Sequence, residues 1–177
     1  MLRLATMADV PQISDLMRES ILAIFPNFYD ARQTASAAVY VADLDIALIE
    51  DGTYFVHEEA GELVACGGWS RRNRLFAGAG HSDDDARLLD PATEPARVRA
   101  MFVRSDRTRR GLGRAILVAC EEAACAEGFR TLALFATLPG VPLYTQFGFR
   151  EIERRKIVMP DGVEGDGVAM EKPIDSS

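Results

Sequence analysis

The stretch Val103-Arg104-Ser105-Asp106-Arg107-Thr108-Arg109-Arg110-Gly111-Leu112-Gly113-Arg114-Ala115-Ile116-Leu117 decides how the rest of this 177-residue chain is read. It has the composition of a strand end, then a basic turn with two glycines, then the first turn of a helix. Each part suits an anion. Gly111 and Gly113 lack Cβ atoms, so backbone N–H groups can approach a ligand closely. The new helix leaves its first N–H groups unpaired and places a partial positive charge at that end. Arg107, Arg109, Arg110 and Arg114 add cationic side chains. A solvated arginine turn between a strand and a helix would look the same, so the segment alone leaves both readings open. Two phosphate loops are excluded by letter. No Gly-Lys-Ser or Gly-Lys-Thr is present, and the third glycine of a dinucleotide fingerprint is missing after Gly113.

The basic turn stands out because the chain is acidic. Asp and Glu number 27 against 20 Lys and Arg, for a net charge of −7. That balance argues against nucleic-acid binding, which needs basic surface to displace counterions, and makes the turn a local site for a small anion. With 48% apolar residues and nine Phe, the chain is expected to fold as one domain, 1–177, with a full core. Cys66, Cys120 and Cys125 form no CxxC pair and no even set, and read as small buried side chains in a reducing cytosol. The N-terminus lacks an apolar signal core and no run approaches a membrane span. The expectation is a cytoplasmic protein with no membrane and no nucleic-acid partner. The oligomeric state is left open, a homodimer included.

Outward from the turn, the pattern alternates between sheet and helix. Leu2 and Leu4 alternate as a first strand. Val10, Ile13, Met17, Ile21 and Ile24 repeat at helical spacing with Pro11 in the first turn, and Phe25-Pro26-Asn27 ends that helix. Asp30 to Val41 is a second, Ala-rich helix. Thr53 to His57 and Leu63 to Trp69 form a hairpin around Ala60-Gly61. Residues 77–97, rich in Gly, Asp and Pro, read as one long mobile loop. Val98 to Val103 is the strand that delivers the basic turn. In the helix after it Leu112, Ile116, Cys120 and Ala123 share a face, and Gly128 ends it. Thr131 to Phe135 is a strand, Val141 to Phe147 a short helix, Arg150 to Met159 a strand, and a last strand centres on Val168 to Met170. Physics alone supports an α/β protein, a mixed sheet with helices on both faces.

A second segment narrows this. Leu143-Tyr144-Thr145-Gln146-Phe147-Gly148-Phe149 follows the strand after the basic helix and a short Pro/Gly connection. Together the two segments resemble the GNAT superfamily of acyl-CoA-dependent N-acyltransferases. That family carries Arg/Gln-x-x-Gly-x-Gly/Ala at a strand–helix junction, then an aromatic segment of the form Tyr-x-x-x-Gly-Phe. Gly111 and Gly113 match the small positions, and Tyr144, Gly148 and Phe149 match the second segment. Thr108 departs from the pattern, standing where the family has Arg or Gln. The motifs cover Val103 to Phe149; the order of elements resembles the family over nearly the whole chain.

The resemblance implies a GNAT-like fold, a central twisted mixed sheet, and transfer of an acetyl group from acetyl-CoA to a primary amine by direct attack. No enzyme nucleophile is needed, and no metal. Met101, Phe102 and Val103 would offer backbone groups to the pantetheine arm, one N–H facing the developing oxyanion. Thr108, Arg109, Arg110, Gly111, Leu112, Gly113 and Arg114 would hold the pyrophosphate. Tyr144, a phenol with an ordinary pKa of about 10, would stay protonated and hand its proton to the departing thiolate. Packing of the short helix against the sheet is the alternative role for that ring.

The general base is left open among Glu58, Glu59, Asp30, His81 and a water chain, with His57 reading as an ordinary strand residue. Phe25, Phe28, Tyr29 and Trp69 are placed near the acceptor cleft, each equally readable as core. The acidic balance favours a cationic acceptor such as a polyamine, an aminoglycoside or a lysine side chain. A catalytically silent acyl-CoA sensor is the competing function, because fold resemblance alone does not establish activity.

Overall fold

The computed structural model describes residues 1–75 and 84–175. Strand β1 (Leu2–Leu4) leads into helix α1 (Val10–Ile24). Ile13, Leu16, Met17 and Ile21 bury one face of that helix, the spacing that the sequence sets. At its start the Asp9 carboxylate accepts the Thr6 N–H at 2.8 Å and is gripped by both nitrogens of the Arg3 fork at 2.8 and 2.9 Å. Phe25-Pro26-Asn27 forms a tight 3₁₀ turn, and helix α2 (Ala31–Tyr40) follows. Asp30 caps α2 by accepting the Gln33 N–H at 2.7 Å, while the Gln33 side chain accepts from Asp30 N–H.

A one-turn helix α3 (Ala47–Glu50), which no sequence pattern marks, precedes strands β2 (Tyr54–Glu59), β3 (Glu62–Ser70) and β4 (Ala96–Val103). Helix α4 (Leu112–Ala126), β5 (Thr131–Thr137), α5 (Val141–Phe147), β6 (Arg150–Val158) and β7 (Glu164–Pro173) complete the chain. The last strand is longer than the sequence indicates, because Gly165, Asp166 and Gly167 mask its start. The loop expectation for 77–97 is corrected in part: 77–83 lie outside the described residues, but 84–95 are tied down. Leu89 N–H bonds Arg71 O at 2.7 Å, Asn73 N–H bonds Arg87 O at 3.0 Å, and Leu89 is buried. This return runs beside the end of β3, which a Pro- and Asp-rich composition does not reveal.

The seven strands order as β1-β2-β3-β4-β5-β7-β6. Every neighbouring pair is antiparallel except β4 and β5, which are parallel. That parallel pair holds together only at Ala96 with Leu132 and Arg97 with Ala133. Past residue 97 the two strands separate, and the sheet opens at its centre.

Helices cover both faces. On one, Leu112, Ile116, Leu117, Cys120 and Ala124 of α4 pack on Val64, Ala65, Trp69, Val98, Leu132 and Leu134. On the other, α1 packs on Tyr54, Val56 and Cys66, and α2 joins it through Ile21, Phe25, Ala37 and Ala38. Each fully buried Leu, Ile or Val contributes roughly 1.5–3 kcal/mol. Ala124 rather than Ala123 completes the buried stripe of α4, being four residues beyond Cys120. The expectation of three buried cysteines holds for Cys66 and Cys120, but Cys125 is exposed. Five helical residues turn the chain about 140° past a full turn, which carries Cys125 off the buried face.

Candidate active site

Strand β4 ends in a short turn over Ser105–Arg107, and the chain then bends through two left-handed residues into α4. Arg109 sits at φ 62° and Gly111 at φ 80°. Such alternation turns successive N–H groups toward one point, the geometry of a backbone anion nest. Gly111 takes its conformation freely, whereas the L-residue Arg109 is held there against its preference. The first amide after the bend with a backbone acceptor is Ala115, bonded to Gly111 O at 3.0 Å. Between Arg109 and Arg114 the N–H groups are therefore available to a ligand.

The four arginines of this turn divide. Arg107 lines the same groove but is paired with Glu59 at 3.2 Å and Asp106 at 3.0 Å, which offsets its charge there. The Arg114 guanidinium lies 5.4 Å from the centre of the Phe147 ring. Arg109 and Arg110 are exposed beside the nest. Thr108 turns its hydroxyl back to Ser105 O at 3.4 Å, so it closes the turn instead of reaching outward.

Strand β4 carries a bulge where the sheet opens. Cys66 pairs with Phe102 and Gly68 with Arg99, so Ala100 and Met101 together face the single residue Gly67. Ala100 has φ 52°. A bulge leaves a backbone group outside the ladder and re-aims its neighbours. Here it does so at the edge exposed by the separation of β5.

Helix α5 starts after the 3₁₀ turn Leu138–Gly140 and sets Tyr144 against this opening. The Tyr144 ring is buried, packed edge-on against Phe149 at 5.8 Å. Tyr29 and Tyr54 commit their hydroxyls to protein carbonyls, while no hydrogen bond joins that of Tyr144 to another described residue. Burial pushes the Tyr144 phenol well above its ordinary value, with the nearby Cys120 a smaller contribution in the same direction. It is a neutral donor without an acceptor among the described residues.

Two cavities meet at that hydroxyl's helix. A groove of about 1010 Å³ runs past Arg107–Arg109, Gly111–Arg114, Met101–Val103, Phe28, Phe147 and Tyr144. A smaller cavity of about 130 Å³ lies between α2, β4 and the β6–β7 turn. Phe25, Met101, Phe102, Thr137 and Tyr144 belong to both.

The profile of the acetyltransferase (GNAT) family matches residues 16–149, three quarters of the chain. The chain belongs to the GNAT acetyltransferase family. Solved structures agree at the level of fold. A GCN5-related N-acetyltransferase from Rhodopseudomonas palustris is 18% identical with a TM-score of 0.74, covering 98% of this chain and 94% of that one. The PaiA N-acetyltransferase from Thermoplasma acidophilum, in complex with coenzyme A, is 12% identical with a TM-score of 0.66, covering 98% of each chain. YncA from Salmonella typhimurium, with its cofactor acetyl-CoA, is 17% identical with a TM-score of 0.64, covering all of this chain and 95% of that one. No curated protein sequence matches the chain.

In this GNAT chain the residues singled out in the sequence separate into three groups. Met101, Phe102, Val103, Thr108, Arg109, Gly111, Leu112, Gly113, Arg114 and Tyr144 share the larger groove, Arg110 flanking it at the nest. Phe28 is half exposed on that groove, and Tyr29 lines the smaller cavity. Tyr29 also acts as a clasp: its hydroxyl accepts the Leu138 N–H at 2.9 Å and donates to Asp166 O at 2.7 Å. Trp69 must be moved away. It is 1% exposed on the α4 side, edge-on to Phe129, so it is core and no part of the cleft.

Three of the candidate bases are otherwise engaged. Asp30 caps α2, Glu58 meets Arg3 at 3.5 Å and Glu59 neutralises Arg107, while His81 lies outside the described residues. Sequence reasoning missed the charged lining of the smaller cavity: Arg99 with Asp43, Asp45, Glu164 and Asp166. Nothing in their spacing groups them, because three separate segments contribute. No described helix is long and apolar enough to cross a membrane.

Proposed function

We propose that this acetyltransferase moves an acetyl group from acetyl-CoA to a primary amine by direct attack, the amine entering through the smaller cavity. The observation that carries the reading is that the two cavities join at Met101, Phe102 and Tyr144. A donor held in one and an acceptor held in the other would have their reacting atoms side by side.

The amides of the nest between Arg109 and Arg114 hold the pyrophosphate, with Arg109 and Arg110 adding charge. The opened edge of β4 offers its backbone to the pantetheine arm as a neighbouring strand would. At the bulge, the N–H freed near Met101 faces the thioester oxygen as it gains charge. The acceptor nitrogen bonds to the acetyl carbon, the carbon–sulfur bond breaks, and the sulfur leaves with its electron pair. Tyr144 gives its proton to that sulfur, and the acceptor nitrogen releases one proton to solvent.

Calorimetric titration with acetyl-CoA, followed by CoA release over a panel of primary amines, tests this. Saturable binding and turnover are expected. Binding with no turnover on any amine would favour a silent acyl-CoA sensor; no binding by folded protein would reject both.

A further inference from the structure

Arg99 lines the smaller cavity. Arg99 is 3% exposed, and is the one arginine in the buried class among the described residues. Among the described residues its sole hydrogen bond runs from Nη1 to Asp45 Oδ2 at 3.4 Å, long for a charged pair. Asp45 is itself divided: Oδ1 accepts the Ala47 N–H at 3.1 Å, and Oδ2 is also approached by Arg74 at 3.7 Å.

Surface arginines of this chain do better. Arg3, Arg71 and Arg72 each grip a carboxylate with two nitrogens at 2.7 to 3.0 Å. A guanidinium carries five N–H donors, and burying the charge without matching acceptors is costly. A buried fork with so few acceptors among the described residues, in the lining of a cavity that reaches Tyr144, suits an acceptor brought by a ligand. Around it Asp43, Glu164 and Asp166 give the more exposed lining negative charge.

Resting on the acetyl-transfer reading above, we infer that Arg99 anchors a carboxylate of the acceptor, which is therefore a small amino acid or similar amino carboxylate. The planar fork matches a carboxylate with two parallel bonds. The acidic lining matches the ammonium of the same zwitterion before it is deprotonated. The cavity, about 130 Å³, limits the part of the acceptor it encloses to small-molecule size. A polyamine, the class favoured by net charge alone, would bring a cation against Arg99.

The test uses matched sets: an amino acid, its carboxamide, and the amine in which hydrogen replaces the carboxylate. CoA-saturated protein is titrated with each by calorimetry, and each is offered as acceptor with acetyl-CoA. The carboxylate member is expected to bind and react roughly 10–100-fold better, chiefly through a lower KM. In Arg99→Met the ratio should fall toward one, and Arg99→Lys should restore part of it. If Arg99→Met fails to fold, the wild-type ratio decides alone. Equal or better use of the carboxamide or plain amine would overturn the anchor while leaving acetyl transfer standing. Preferential binding of the carboxylate without turnover would keep the anchor and reject acetyl transfer. Binding of no member of any set overturns the anchor.

Discussion

The Tyr54 hydroxyl donates a 2.7 Å hydrogen bond to the carbonyl oxygen of Ala100, the left-handed residue of the β4 bulge. Between them lies Gly68, where a Cβ would meet the Thr53 carbonyl oxygen first and stand 2.8 Å from the Tyr54 ring; the glycine lets β2 and its phenol come this close to β3. The bulge is thus braced from two strands away. Tyr54→Phe leaves a carbonyl without its partner and should cost about 1–3 kcal/mol in urea unfolding. The rate of acetyl transfer should fall with it, because the loosened bulge no longer aims its N–H. A variant of unchanged stability and rate would show the brace to be dispensable.

Acid should expose a second brace. The Asp9 carboxyl is held at about 2, first by its bond to Arg3, against a desolvation cost, and then by the Thr6 N–H. Its folded value lies below its unfolded value, so its contribution is complete above about pH 4 and is lost as pH falls toward 2. Asp9→Asn should lose on the order of 1–2 kcal/mol at pH 7, and the difference from wild type should shrink by pH 2. Parallel pH–stability curves for the two proteins would contradict this.

Tyr29→Phe removes the hydroxyl that joins the Leu138 amide to the Asp166 carbonyl. With the β6–β7 turn held less firmly against α2, the acceptor KM should rise several-fold while the CoA dissociation constant stays put. An unchanged acceptor KM would assign Tyr29 to the scaffold alone.

How much of this was legible in the sequence depended on how local each signal was. The apolar spacing of α1 and α4, and the turn at Gly111 and Gly113, each act within one segment, so the order and type of the strands and of every α-helix but α3 followed from letters. Tyr144 was singled out through its spacing to Gly148-Phe149. Trp69 was left open between cleft and core because a strand residue's identity does not say which face it occupies. Arg99 was passed over because strand β4 reads as a short apolar run with arginines in it, and Asp45 lies 54 residues away in sequence. The Ala100 bulge was invisible for a different reason: an alanine gives no sign of φ 52°.

Charge at the nest should be measurable as salt dependence. Arg109→Ala and Arg110→Ala should each weaken CoA binding several-fold, and the loss should narrow from about 50 to 500 mM salt as exposed charges are screened. Thr108→Arg should tighten binding if the side chain at that position reaches the phosphates. Salt-independent affinity in wild type would place the phosphates elsewhere.

The central claim is that Tyr144 gives a proton to the departing sulfur. Burial raises its phenol, so it stays protonated across the working range and should impose no fall in rate below about pH 10. Tyr144→Phe keeps the ring that packs on Phe149 and removes only the donor. Single-turnover acetyl transfer should slow by roughly 10²–10⁴-fold, with acetyl-CoA affinity unchanged. A Tyr144→Phe protein that transfers acetyl at the wild-type single-turnover rate would contradict the account and reduce Tyr144 to packing.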